Sequence, residues 1–121
     1  MKKNAYIFDT VALLIFVAIG RRAHEHGITV AGMASTFWPF AIGLIAGWIL
    51  IIRTNRDLTA TRSGLWIVLV TVALGMVLRV VSGQGTAVTF IIVALVFQSL
   101  FLMGWRAVFG ALVQRRLGEE N

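Results

Sequence analysis

The chain has 121 residues, of which 59% are hydrophobic and 13% are charged, and 11 basic against 5 acidic residues give a formal charge of +6. Soluble domains are about half apolar and about a quarter charged, and a domain this small cannot hide so much apolar surface from water. The composition therefore excludes soluble enzymes, nucleic-acid-binding proteins, disordered tails and, because cysteine is absent, disulfide scaffolds. It indicates a protein whose first partner is the lipid bilayer.

Four apolar segments approach the roughly 20 residues that a helix needs to cross about 30 Å of hydrocarbon. In chain order they cover about 5–20, 32–52, 64–81 and 86–108. Lipid offers a bare backbone amide no hydrogen-bond partner, so each segment is expected to be a helix, and short connections make neighbours antiparallel. The sequence thus predicts an all-α fold: a polytopic membrane four-helix bundle that forms one transmembrane domain over residues 1–121.

The first segment also resembles a secretory signal peptide, because two lysines precede its apolar run and the small residues Ala18 and Gly20 end it. Asp9 inside the run and the pair Arg21-Arg22 directly after it argue against cleavage. We therefore interpret the segment as a retained first helix.

Positive charge is distributed unevenly over the two sides of the predicted bundle. With the N-terminus in the cytoplasm, about eight basic residues lie on the inner side and three, Arg21, Arg22 and Arg79, on the outer side. The positive-inside rule then predicts a multi-pass protein of the cytoplasmic (inner) membrane with both termini in the cytoplasm. Three tryptophans lie near the inner helix ends, where an interfacial belt would place them: Trp48, Trp66 and Trp105.

A shift of 57 residues aligns the chain weakly with itself. It places Arg22 on Arg79 and Gly47-Trp48 on Gly104-Trp105. Each half becomes a helical hairpin, and the two hairpins are expected to be related by a pseudo-two-fold axis along the membrane normal, which brings the two arginines to one level. Short first helices in matching halves are typical of transporter binding sites; a tilted helix whose arginine snorkels to the headgroups is the alternative.

Basic residues on the outer side form the first candidate site. Arg21, Arg22 and His24 follow the first helix, and Arg79 ends the third, next to a glycine-rich turn over 82–86. Guanidinium forks and turn amides offer converging donors in fixed directions, which favours anions. We predict an anion-selective mouth or a site for a carboxylate, phosphate or halide. Contact with lipid phosphates is the structural alternative.

The triplet His24-Glu25-His26 raises two further interpretations. In an extended loop both imidazoles lie on one side and could bind one metal ion. The chain has no cysteine and no third histidine to complete a tetrahedral site, so we expect no metal. Protonation of the two histidines would instead make the segment a pH sensor.

Polar residues inside the predicted helices are candidates because they are expensive in lipid. Asp9 lies about one turn inside the first helix and Arg106 at the corresponding depth of the fourth, so we predict an ion pair. Proton coupling through Asp9 and simple exposure of Asp9 at the headgroups are the alternatives. Gln98 lies in the middle of the fourth helix. Its amide is expected to hydrogen-bond to another helix, or else to line a pore.

Small residues mark the expected helix contacts. Pro39, Gly43 and Gly47 follow one another at spacings of four on the second helix, and Gly75 lies on the third. Such stripes let another backbone approach closely, inside the bundle or across a dimer. The chain shows no nucleophile-base pair, phosphate loop or paired carboxylates, so we expect neither enzyme activity nor a cofactor.

The order of these motifs resembles a family of small prokaryotic four-span membrane proteins described as a domain of unknown function. The resemblance covers almost the whole chain and rests on Gly20-Arg21-Arg22-x-His24, Trp38-Pro39-Phe40, Gly47-Trp48, Gly75-Met76-x-x-Arg79 and Gly83-x-Gly85-Thr86. It implies the fold and the membrane location and carries no activity. Two better-known families are similar in size. Small multidrug exporters have a central glutamate in their first helix that has no match here, and dimeric fluoride channels have an asparagine and phenylalanine pattern that has no match either.

The leading functional hypothesis is a small channel or transporter, a homodimer or larger homo-oligomer, that admits an anionic or polar solute through the basic outer mouth. Four helices enclose little volume, so a path between protomers is expected. An accessory or assembly subunit that packs through Gly43 and Gly47 against a larger membrane complex is the alternative, and a pH or metal sensor is the third.

Overall fold

The structure is a computed structural model and describes residues 2–23, 29–84 and 88–120. Throughout this part of the chain, regular structure is helical: α1 (Lys2–Ala23), α2 (Val30–Arg53), α3 (Thr61–Val81), α4 (Val88–Gln98), a π-helical stretch (Ser99–Met103) and α5 (Gly104–Glu120). Four stretches of the described chain are long and apolar enough to cross a membrane: Lys3–Arg22, Val30–Arg53, Thr61–Val81 and Val88–Gly118. The prediction of an all-α membrane bundle with four spans is confirmed.

The fourth span differs from the prediction. We expected it to end near residue 108, but the helix continues through α5 to Glu120. From Val88 onward this rod is roughly 50 Å long at 1.5 Å per residue, well beyond the thickness of a hydrocarbon core. Hydropathy indicates where the apolar sequence ends, but a helix does not have to end there. The segment beyond is rich in alanine, leucine, glutamine and arginine, which favour a helix even where the sequence is polar. The apolar pattern therefore located the membrane part of the helix and missed its projecting end.

Helices α2 and α3 pack with their backbones in direct contact. A Cβ atom added to Gly43 would lie 2.6 Å from the carbonyl oxygen of Thr71, and one added to Gly47 would lie 3.2 Å from the Cα atom of Ile67. On α3, Gly75 makes room for the ring of Phe40 in the same way. The small-residue stripe is thus filled by α3 of the same chain. It is not the free docking surface on which the accessory-subunit hypothesis relied.

Gly43→Ala is expected to lower the free energy of unfolding by about 1–3 kcal/mol, because the new methyl group overlaps backbone atoms that cannot rotate away. Gly110→Ala is the matched control, since a Cβ there meets no described atom within 4 Å. That exchange is expected to stabilise the helix by up to about 1 kcal/mol. Chemical unfolding in mild detergent measures both, and equal stabilities for the two variants would contradict the close contact.

Aromatic rings fill the bundle between α1, α2 and α4. The ring of Phe16 lies 5.5 Å from those of Phe40 and Phe97 and 6.0 Å from that of Phe90, measured between centroids. Phe40 and Phe90 complete the cluster at 6.0 Å. These four rings, which we call the phenylalanine cluster, belong to the hydrophobic core or pack against it.

The loop between α2 and α3 folds back over one end of the bundle. Asn55 takes a left-handed conformation with φ of 56°, and the Asp57 carboxylate accepts hydrogen bonds from the amide and hydroxyl groups of Thr59. These local contacts hold the turn while Leu58, only 3% exposed, enters the core. The loop therefore closes this end, which also holds the start of α1, and we call it the terminal end.

The π-helical stretch keeps one face of the last rod directed into the bundle. Its buried residues Ala94, Gln98, Leu102 and Arg106 follow one another at spacings of four. Four residues turn an α-helix by about 400°, so such a row drifts by about 40° at each step. A π-turn has more residues per turn, so each residue rotates by less than 100°, and this reverses part of the drift. It thereby holds Gln98 and Arg106 on the same buried face.

Candidate functional site

The structure brings Asp9 and Arg106 together at the terminal end. The guanidinium group of Arg106 donates from Nη1 to Oδ1 and from Nη2 to Oδ2 of Asp9, each at 2.7 Å. Both side chains are fully buried. Such a bidentate pair is the geometry in which a carboxylate and a guanidinium interact most strongly, and it keeps two charges out of contact with lipid.

Two tryptophans complete the coordination of the Asp9 carboxylate. The indole N–H of Trp48 donates to Oδ2 and that of Trp105 donates to Oδ1, each at 2.9 Å. These are the two tryptophans that the 57-residue shift superposes. The sequence suggested only an interfacial position for them, whereas in the structure they donate hydrogen bonds to Asp9. A buried carboxylate needs such donors at both oxygens. Trp66, the third member of that belt, is exposed and lies under the guanidinium of Arg56.

Arg106 is also held by backbone oxygens. Its Nε atom donates to the carbonyl of Leu58 and its Nη1 atom to the carbonyl of Leu102, both at 2.9 Å. Its guanidinium lies 4.4 Å from the ring centroid of Trp105, and Gly64 leaves room for its aliphatic stem. We call Asp9, Trp48, Trp105 and Arg106 the Asp9 cluster. Asp9 and Arg106 each have several hydrogen-bond partners, so the cluster forms a buried polar network under the loop.

Trp48→Phe and Trp105→Phe are expected to lower the free energy of unfolding by about 1.5–3 kcal/mol each. Each exchange keeps most of the ring and removes one hydrogen bond to a charged acceptor, which is the basis of that magnitude. Trp66→Phe, which touches neither Asp9 nor Arg106, is the matched control and is expected to change little. Unfolding in mild detergent measures all three. Losses as small as that of the control would show that the indoles do not support the carboxylate.

The opposite end of the bundle, which we call the basic end, carries Arg21 and Arg79. Arg21 donates from Nη1 to the hydroxyl of Thr36 at 3.0 Å, and its guanidinium packs against Gly32. Thr29 caps α2 by accepting from the Gly32 amide at 3.0 Å. Arg21 therefore lies against the first turns of α2, where the helix dipole is itself positive.

Arg79 reaches the same turn of α2 through a glutamine. Its Nη1 atom donates to Oε1 of Gln84 at 3.1 Å, and Nε2 of Gln84 donates to the carbonyl of Ser35 at 3.2 Å. The Arg79 guanidinium also lies 4.8 Å from the ring centroid of Phe90, at the top of the phenylalanine cluster. Arg21 thus contacts Thr36 directly, and Arg79 is linked through Gln84 to the preceding residue, Ser35.

Arg22, which the repeat superposes on Arg79, is exposed. One residue is 100° of helix rotation, so Arg21 contacts α2 while its neighbour points elsewhere. Of the other predicted residues, His24 and the rest of the triplet His24-Glu25-His26 lie outside the described residues, as do Gly85 and Thr86 of the turn.

Gln98 and Thr71 occupy the middle of the bundle. They are 1% and 0% exposed, and neither the amide atoms of Gln98 nor the hydroxyl of Thr71 has a hydrogen-bond partner in the described part of the chain. The interhelical hydrogen bond that we expected for Gln98 is therefore not formed there. Buried polar groups in proteins nearly always have a partner, so this level of the bundle is unusual.

Sequence reasoning missed several residues of both ends. Trp48 and Trp105 carried a signal, because both follow glycine at a spacing of 57 residues. Gln84 carried a weaker one, as a polar residue inside the glycine-rich turn. The Leu58 carbonyl had none, since a backbone oxygen leaves no trace in the sequence.

Residues 6–109 match a protein-family model described as a protein of unknown function, DUF3054. The match covers most of the chain, including both arginines of the basic end and the whole Asp9 cluster. No curated protein and no solved structure matches the chain. The description assigns no activity, so the function has to be argued from the residues.

Proposed function

Since the chain belongs to the DUF3054 family, we propose from its own geometry that it is a small transporter or channel for an anionic or polar solute. The observation that carries the proposal is the order of polar groups along the bundle. Arginines lie at the basic end, polar atoms of Gln98 and Thr71 that have no partner among the described residues lie in the middle, and the buried Asp9 cluster lies at the terminal end. Polar groups inside a membrane are expensive and usually mark a path for solutes or ions.

The basic end would collect the solute. The sequence places Arg21, Arg22 and Arg79 there against the single acidic residue Glu25, so this end is positive even when one arginine is neutralised. Arginines with fixed donor directions bind carboxylates and other oxyanions, and a positive mouth raises the local concentration of anions. The positive-inside rule supports placing this end outside the cell and both termini in the cytoplasm.

The Asp9 cluster would close the path at the terminal end. Four of the five N–H groups of Arg106 donate to Asp9 and to the carbonyl groups of Leu58 and Leu102, which would keep the path shut in this conformation. An anion that reached Arg106 would have to take the place of the Asp9 carboxylate, and this exchange couples solute arrival to opening.

Two parts of the bundle differ in how they can move. Helices α2 and α3 are in backbone contact at Gly43 and Gly47, which makes them the rigid half. α1 and α4 meet across the rings of Phe16, Phe90 and Phe97, and side chains change rotamer more easily than backbones separate. Opening would therefore move α1 against α4. A homo-oligomer, in which neighbouring copies support the moving helices, remains part of the proposal.

Binding in mild detergent tests the proposal without reference to transport rate. We expect at least one of chloride, nitrate, bicarbonate or phosphate to raise the unfolding temperature in a saturable way, because a ligand that binds only the folded state stabilises it. Arg79→Gln is expected to abolish that rise. Stabilisation by anionic lipids alone would contradict the proposal and favour lipid anchoring by the arginines.

A further inference from the structure

Gln98 is the polar side chain that neither end of the bundle uses. Its Nε2 and Oε1 atoms are both buried and both without a partner among the described residues, and the same holds for the Thr71 hydroxyl. A buried amide that forms no hydrogen bond destabilises the folded state, because its hydrogen bonds to water are lost and no others replace them. Two such groups in the middle of the bundle point to a bound molecule that supplies the missing hydrogen bonds.

The position of Gln98 along the last rod is halfway between the two charged levels. Phe90, under the Arg79 guanidinium, lies eight residues before it, and Arg106 lies eight residues after it. At 1.5 Å per residue each interval is about 12 Å. Thr71 lies within about one helical turn of this depth, because Gly64 packs beside the Leu102 carbonyl and the two helices are antiparallel. A solute that leaves the basic end would meet these groups before the Asp9 cluster.

The π-helical stretch begins directly after Gln98. Single π-turns inside α-helices occur frequently at functional sites, where the altered hydrogen-bond pattern redirects a side chain. Here the π-turn keeps Gln98 directed into the bundle, although its amide has no partner in the part of the chain that the structure describes. This is an observation independent of the missing hydrogen bonds, and it points to the same place.

We propose that Gln98, assisted by Thr71, is the mid-membrane binding residue for the transported solute, and that this solute is a small oxyanion or oxyacid bearing an O–H group. The inference rests on the proposed function. An acceptor-only anion satisfies Nε2 of Gln98 and the Thr71 hydroxyl but leaves Oε1 without a donor. A solute with one O–H and two further oxygens satisfies all three atoms.

A neutral amide at this depth also suits passage. An arginine in the middle of the bundle would hold an anion tightly, whereas hydrogen bonds from an amide and a hydroxyl bind it weakly enough for release. Transport requires a position that is favourable to enter and also easy to leave. The charged groups at either end and the neutral group between them meet this requirement.

Bicarbonate and nitrate form the matched pair of probes, because both are planar, monovalent and similar in size, and only bicarbonate carries an O–H group. Their binding to the purified full chain in detergent is measured by thermal stabilisation at mildly alkaline pH. Wild type is expected to bind bicarbonate about tenfold more tightly than nitrate, which corresponds to one added hydrogen bond.

Gln98→Met removes the amide at nearly constant volume, and Thr71→Val removes the hydroxyl in the same way. Gln98→Met is expected to abolish the preference for bicarbonate and to weaken its binding about tenfold, while the unfolding temperature without anion stays equal to or above that of wild type. Thr71→Val is expected to weaken both anions without lowering that temperature.

Three results separate the inference from the proposed function. A lower unfolding temperature of anion-free Gln98→Met would show that the amide is structural and overturn the inference. Equal binding of bicarbonate by wild type and Gln98→Met, with loss only in Arg79→Gln, would leave the basic mouth intact and reduce Gln98 to a site for ordered water. Failure of every anion to bind wild type would overturn both.

Discussion

Asp9→Asn is expected to lower the free energy of unfolding by about 3–5 kcal/mol, the largest loss that we predict for a single exchange. The variant keeps the shape of the side chain and removes its charge, so the guanidinium of Arg106 stays buried without a counter-ion, and breaking one side of a buried pair has this cost. In addition, the new amide NH₂ faces N–H donors, because all four groups around the carboxylate oxygens are donors.

The pairing itself is measured by a double-mutant cycle with Arg106→Gln. That single variant leaves the carboxylate with the two indole donors, so we expect it to destabilise the protein as well. The double variant should lose clearly less than the sum of the two, because neither charge is then left alone. Asp57→Asn, in the exposed loop, is the charge-matched control with a smaller expected effect, because the asparagine keeps a side-chain oxygen that can accept from Thr59. Additive losses would show that the buried pair contributes no coupling energy.

Arg79→Gln is expected to lower the initial rate of anion uptake into proteoliposomes about ten- to a hundredfold at subsaturating solute. A hydrogen bond from a charged donor contributes about 1.5–3 kcal/mol, and the glutamine loses this contribution while it keeps a polar end. Uptake should saturate at a higher concentration in the variant, because the arginine acts in capture. Measurement of the rate against solute concentration separates capture from later steps.

Three further arginines test the specificity of that loss. Arg62→Gln makes the same charge change on an exposed residue at the terminal end and is expected to leave uptake unchanged. Arg21→Gln should lower uptake more than Arg22→Gln, because Arg21 lies against α2 and Arg22 is exposed. A fall in expression and unfolding temperature equal to the fall in uptake would assign Arg79 a structural role.

The bundle and the Asp9–Arg106 ion pair were predictable because lipid strongly constrains which residues a spanning helix can contain. Apolar runs of helical length predicted the four spans, and the depth of Asp9 and Arg106 within their runs predicted the ion pair between them. Both features depend only on distance along a helix axis. The rotation of each helix was harder: the repeat aligned Arg22 with Arg79, whereas Arg21 contacts α2. A weak repeat does not fix an alignment to within one residue, and a shift of one residue rotates a side chain by 100° to another face of the helix.

Other features depend on contacts that no single segment encodes. The partner of the Gly43 stripe is α3 of the same chain, and a stripe of small residues is equally suited to a second chain. The π-turn after Gln98 is set by the packing of a whole face. The Trp48 and Trp105 donors meet only because two distant helices converge on Asp9.

The central claim, that the chain moves an anionic or polar solute, is tested most directly by uptake into vesicles that contain only the purified protein. Bicarbonate, nitrate, chloride and phosphate are each supplied outside, and uptake is compared with that of protein-free vesicles of the same lipid. We predict saturable uptake of at least one anion, reduced by Arg79→Gln and unchanged by Arg62→Gln. Rates equal to those of protein-free vesicles for every anion, from protein shown to be folded, would contradict the account.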